Sequence, residues 1–72
     1  RPAKYDQVLR TIARNVRAAR ARLGLSQEEA ADRADIASRQ WQRVEAGDAI
    51  TLRTLAAVAA ALEVDVADLL AR

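Results

Sequence analysis

Residues 26–47, SQEEAADRADIASRQWQRVEAG, constrain this chain more than any other stretch, because they delimit two short helices and the turn between them. Ser26 with Glu29 three residues later is a capping box, which places the start of the first helix. Ala30, Ala31 and Ala34 give that helix a thin face of small residues, so a neighbouring helix can approach closely. The pattern breaks at Ala34-Asp35-Ile36. A second helix then runs from Ala37 or Ser38 to Gly47, a natural residue to follow a helix C-terminus. Ala37, Trp41 and Val44 share one side of it, and Arg39, Gln42 and Arg43 share roughly the opposite side. A short helix that packs by one face and offers cations and an amide on the other suits the major groove of DNA.

The segments L-G-L-S-Q-E-E-A-A-D-R-A and D-I-A-S-R-Q-W-Q-R-V-E-A-G together resemble the helix-turn-helix domain shared by lambda-type repressors, Cro and many small bacterial regulators. The resemblance extends from about Val8 to Leu70. Its most specific parts are residues 24–29, the exit Arg43-Val44-Glu45-Ala46-Gly47, and Ala61-Leu62-Glu63-Val64. It implies an all-α, compact bundle of about five short helices, a single domain over 1–72 with its helix-turn-helix at about 26–47.

Composition agrees with that class. Seventy-two residues are near the lower limit for a core without staples, and there is no cysteine to supply a disulfide. Histidine is absent too, which removes the commonest general base and zinc ligand. Asp32 with Asp35, and Asp65 with Asp68, are pairs that helix capping and turns explain. No nucleophile–base set or phosphate-binding glycine loop is present, so an enzyme is not expected, and no cofactor or metal. The apolar run from Leu55 to Leu62 is too short to span a bilayer, and no signal peptide is visible, so a cytoplasmic location without membrane contact is expected. The chain starts at Arg1 rather than methionine, which leaves room for further residues, an effector domain or a partner protein.

The net charge is +2, and its distribution says more than its total. Residues 1–22 hold seven cations against Asp6 alone, whereas residues 23–37 hold Glu28, Glu29, Asp32 and Asp35 against Arg33. Such a split points one end of the domain toward a polyanion.

Apolar periodicity and caps predict helices over about 6–22, 27–34, 38–46, 52–62 and 66–71. In the first, Leu9, Ile12, Ala13, Val16 and Leu23 form a stripe that also takes in Arg20. A partly buried guanidinium needs a partner, and Glu45, at the edge of the Trp41/Val44 face, is the candidate. The family resemblance implies the same structural ion pair. Thr51 is expected to cap the fourth helix, with Leu52, Leu55, Val58 and Leu62 facing inward. Asp65 is the expected N-cap of the last helix, with Val64 and Leu69 as a hydrophobic staple. Val66, Leu69 and Leu70 leave more apolar surface than so short a helix needs for one core. Similar proteins often dimerise through their terminal helix, so a homodimer is expected, against the alternative of an ordinary monomer core.

Carried over residue by residue, the resemblance implies double-stranded DNA as the partner. Ser38, Arg39, Gln42 and Arg43 occupy the positions that face base edges, and Arg39 is the foremost reader because a guanidinium can bond guanine O6 and N7 together. Arg43 is left open between base and phosphate. Gln27, Gln40, Thr51 and Arg53 are the phosphate contacts. The sequence departs from the family at Asp35, where glycine is common in a left-handed turn. It departs again at Ala37, which lacks the usual capping hydroxyl, so that Ser38 is a possible cap in its place. Trp41 is larger than the usual aliphatic residue, Glu63 stands where glycine usually ends the fourth helix, and the loop after Gly47 is about one residue short. The function implied is a transcriptional regulator, most simply a repressor dimer on a palindromic operator. An antitoxin repressing its own operon, or a protein-interaction module on the same fold, are the alternatives.

Overall fold

The computed structural model describes residues 4–72, which form five helices: α1 Lys4–Arg22, α2 Gln27–Ala34, α3 Ser38–Glu45, α4 Leu52–Ala61 and α5 Val66–Leu70. The expected helices match these within a residue or two at each end. No helix among the described residues is long and apolar enough to cross a membrane.

The helix starts follow the caps. Ser26 Oγ accepts from the Glu29 N–H (3.0 Å) while Glu29 Oε1 accepts from the Ser26 N–H (2.8 Å). The bond from the Ser26 backbone N–H, with a smaller contribution from its hydroxyl, holds the Glu29 carboxyl below its ordinary range. Thr51 Oγ1 accepts from the Thr54 N–H (3.1 Å) and starts α4. At α5 the Asp65 N–H donates to Asp68 Oδ2 (2.8 Å), so that acidic pair is a capping device. At α3 the capping position is Ala37, which has no side-chain bond to give, and Ser38 lies inside the helix. Ser38 therefore does not replace the missing cap.

The helix ends repeat one device. Gly24, Asp35, Gly47 and Glu63 all take positive φ, at 68, 57, 85 and 61°. In each case the left-handed residue and the one after it donate back into the helix. The pairs are Gly24 to Ala21 and Leu25 to Arg20, Asp35 to Asp32 and Ile36 to Ala31, Gly47 to Val44 and Asp48 to Arg43, and Glu63 to Ala60 and Val64 to Ala59. These are Schellman turns. Asp35 and Glu63 thus do hold the conformation for which the family favours glycine.

Trp41, Val16, Val58 and Leu69 are the largest fully buried side chains, at the centre of a core shared by all five helices. α2 packs on α3 and α4, and α1 on α3 and α5. Ala19, Ala30, Ala31 and Ala34 belong to the same core, and their small side chains leave space for an indole. Trp41 is accommodated this way, with none of its surface exposed. Val64 and Val66 pack against the core beside Leu69, in keeping with the expected staple.

Three expected core positions are exposed. Leu52 is 81% accessible, because as the first residue of α4 it points off the end of the bundle before the helix turns Leu55 inward. Leu23 lies beyond the end of α1, and its stripe is continued instead by Ala19. Ala37 is exposed because it precedes the first turn of α3 rather than lying on its packed face.

Candidate nucleic-acid interface

Three of the eight residues of α3 are committed to the core, and what remains is the candidate site. Trp41, Val44 and Glu45 are buried, while Arg39, Gln40, Gln42 and Arg43 are exposed and Ser38 is half-buried. This follows from helical periodicity, since positions 41, 44 and 45 fall on one side. α3 is anchored by its inner face and offers a polar outer one.

The anchor is a hydrogen-bond network around Glu45, the one buried charged residue among those described. Arg20 grips the carboxylate with two bonds, Nε to Oε2 (2.6 Å) and Nη2 to Oε1 (3.0 Å). The Trp41 indole N–H donates to Oε2 (2.6 Å), and Gln27 Nε2 donates to Oε1 (2.9 Å). Burial pushes the Glu45 carboxyl up, but the bonds from Arg20, Trp41 and Gln27, with the charge of Arg20, outweigh it and hold it below the usual range. The same bond raises Arg20 above its ordinary value, against a smaller opposing effect of burial. Arg20 also donates through Nη1 to the Leu25 carbonyl (2.9 Å). The expected Arg20–Glu45 pair is therefore present, bidentate and largely shielded from water. Arg17 adds a further tie, Nη1 to the Glu45 carbonyl (2.6 Å), at the C-terminal end of α3.

Sequence reasoning missed Arg17, the Trp41 indole bond and the part played by Gln27. The Trp41/Glu45 spacing of four residues on one helix was the available signal. Arg17 lies three residues before Arg20, on the same part of α1, which is the only clue to its role. Neither arginine is free to form the basic patch that the charge split suggested. Arg14 is engaged as well, donating to the Ala71 carbonyl (3.2 Å), where Asn15 Nδ2 also binds the Leu69 and Ala71 carbonyls (2.9 and 2.7 Å). The α1 cations are spread along a 19-residue helix, and several of them hold the domain together. Arg1 lies outside the described residues.

The remaining polar residues gather beside α3. A groove of about 690 Å³ is lined by Arg39, Gln40, Arg43, Asp48, Thr51 and Thr54, among others. Gln40 Nε2 donates to Thr54 Oγ1 (3.3 Å), and Thr51 Oγ1 donates to the same oxygen (3.1 Å), which links α3 to the start of α4. Arg43 Nε lies 3.6 Å from Asp48 Oδ2. Arg53 is exposed on the first turn of α4. The structure thus gathers Arg39, Gln40, Arg43 and Thr51 around one groove. It sets Gln27 apart, with its side-chain amide turned to Glu45 and its backbone N–H at the start of α2.

No curated protein and no solved structure matches the chain. The model of a helix-turn-helix family matches residues 16–69 of the 72. That span takes in the Arg20–Glu45 anchor, the turn at Asp35 and the whole of α3, so the chain belongs to the lambda-repressor-like helix-turn-helix family of DNA-binding regulators.

Proposed function

We propose that this protein is a sequence-specific, double-stranded DNA-binding repressor that reads the major groove with α3 as a homodimer on a palindromic operator. The observation that carries this reading is the division of α3 between two faces. Trp41, Val44 and Glu45 lock one into the core, and Arg39, Gln42 and Arg43 stand exposed on the other. A core-anchored helix with exposed guanidinium and amide groups matches the donor and acceptor pattern of base edges, where Arg binds guanine and Gln binds adenine. Ser38, near the N-terminus of α3, completes the base-facing set. Gln27 through its backbone N–H, Gln40, Thr51 and Arg53 flank α3 and supply phosphate contacts, which set register and most of the affinity.

The homodimer is supported by apolar surface where α1 meets α5, to which α5 contributes Leu70 alone, since Leu69 is buried and Val66 packs against the core. Tyr5, Val8 and Leu70 are exposed, and Val8 and Leu70 line one groove where α1 meets α5. A two-fold pairing there would carry two copies of α3, and an inverted-repeat site about 34 Å between half-sites suits such a pair. An operator held in this way is blocked to other proteins, which favours repression.

Selection from a randomised duplex DNA pool, at low and moderate salt, tests the reading. Recovery of an inverted repeat with half-sites about one helical turn apart is the expected result. Binding that recovers no sequence and vanishes with salt would reduce the role of α3 to gripping phosphates. A complete absence of DNA binding would refute it and favour a protein partner.

A further inference from the structure

The turn that ends α3 differs from the other three in one respect. After each left-handed residue the next one donates back to the helix, and its side chain is brought beside the last turn. At α1, α2 and α4 that residue is Leu25, Ile36 and Val64, each packed against the core. This is the apolar contact that usually accompanies a Schellman turn. At α3 the residue is Asp48, which is exposed, and its backbone N–H bonds the carbonyl of Arg43 itself (3.1 Å). The turn therefore sets a carboxylate next to the guanidinium of Arg43, with Oδ2 3.6 Å from Nε.

Such a pair adds little to folding, because its side chains are 69% and 56% accessible. A carboxylate at the edge of a surface that meets phosphates also repels them. Its consequence lies in orientation. Arginine carries five donors on a planar fork, and a carboxylate charge beside Nε favours the orientation in which the two Nη groups point away together. Those are the donors that bond guanine O6 and N7. The same carboxylate keeps a phosphate oxygen from competing for the Nε edge.

We propose that Asp48 is a positioning residue that holds Arg43 for reading guanine and withdraws it from the phosphates. This rests on the DNA-binding reading above, and it assigns Arg43 to base readout. Gly47 is part of the device, since its φ of 85° makes the turn that delivers Asp48.

The test is pool selection at moderate salt with the wild-type protein and the Asp48→Ala, Asp48→Asn, Arg43→Ala and doubly substituted Arg43→Ala/Asp48→Ala variants. Circular dichroism would verify that each is folded. Arg43→Ala is expected to erase a guanine preference at one position of each half-site. Asp48→Ala should weaken that same preference by about two- to fivefold, the range set by an exposed ion pair. The double variant should lose no more than Arg43→Ala alone. Asp48→Asn removes the charge while keeping the shape, and should weaken the preference as Asp48→Ala does. If Asp48→Ala tightens binding to every sequence and leaves each preference intact, Asp48 merely repels phosphate and the proposal is overturned. A wild-type protein that selects no sequence would overturn the DNA-reading proposal itself, a result distinct from an unchanged preference in the variant.

Discussion

Replacing Glu45 by glutamine probes the anchor of α3 with almost no change in volume. The carboxylate accepts four bonds, two on each oxygen, from Arg20, Trp41 and Gln27. An amide keeps one acceptor oxygen and turns the other into a donor, so in either orientation two incoming donors face an N–H. Gln27 can rotate its own amide to accept, but Arg20 cannot change sign, and the fully buried Trp41 has no other partner in the structure. The cheaper orientation keeps the oxygen on the Trp41 and Arg20 Nε side. What is lost is one charge-assisted bond and the counterion of a guanidinium that is 22% accessible. Breaking a buried ion pair costs about 3–5 kcal/mol, and the partial exposure of Arg20 places this one near the lower end, at about 3 kcal/mol. In a domain of this size each kcal/mol moves the midpoint by about 4–8 °C, so a fall of roughly 12–24 °C is expected in thermal unfolding followed by circular dichroism at pH 7. The sign of the pH dependence follows from the depressed carboxyl of the folded state. Its contribution is complete above the ordinary value of 4.5 and is lost as pH falls through the lower folded value. The gap between wild type and Glu45→Gln should therefore narrow as pH falls below 4.5. A loss of less than about 1 kcal/mol at pH 7 would refute the reasoning and leave the pair equivalent to one on the open surface.

Further perturbations address other features of the structure. Glu63→Gly should raise stability by about 0.5–1 kcal/mol, since φ of 61° favours glycine and the Arg33–Glu63 pair is exposed; a lower midpoint in urea would contradict this. Leu52→Ala should change stability by no more than about 0.5 kcal/mol despite the apolar character of the residue, and a core-sized loss in the same assay would count against its exposed placement. Arg39→Ala should weaken binding to the selected operator by about 1–3 kcal/mol and relax preference at one base pair; equal weakening on all sequences would make Arg39 a phosphate contact. Thr51→Ala removes the α4 cap and should cost about 1 kcal/mol in thermal unfolding, whereas no loss would mean that the hydroxyl bond is replaced by water.

Local chemistry in the chain determined where the helices begin and end. A capping box needs only Ser26 and Glu29, and a left-handed exit needs only a tolerant residue such as Gly47 or Asp35, so both are written in neighbouring positions. The two faces of α3 were legible for the same reason, because a period of 3.6 sorts Trp41 and Val44 from Arg39 and Gln42 without knowledge of the rest. The Arg20–Glu45 pair was legible because a cation inside an apolar stripe demands a partner. Tertiary structure alone decided that Gln27 joins Arg20 on the Glu45 carboxylate, since these two come from other helices whose relative placement no local pattern encodes. It also decided the fate of the α1 cations. A run of arginines in sequence looks like a patch, but around a helix it radiates in several directions, and Arg14, Arg17 and Arg20 each meet a different group within the fold. Leu52 shows the converse limit: its apolar character fits the helix period, yet a first-turn position at the end of the bundle has nothing to pack against. Spacing along one helix is local geometry, whereas the direction in which a side chain finds a partner depends on every element packed around it.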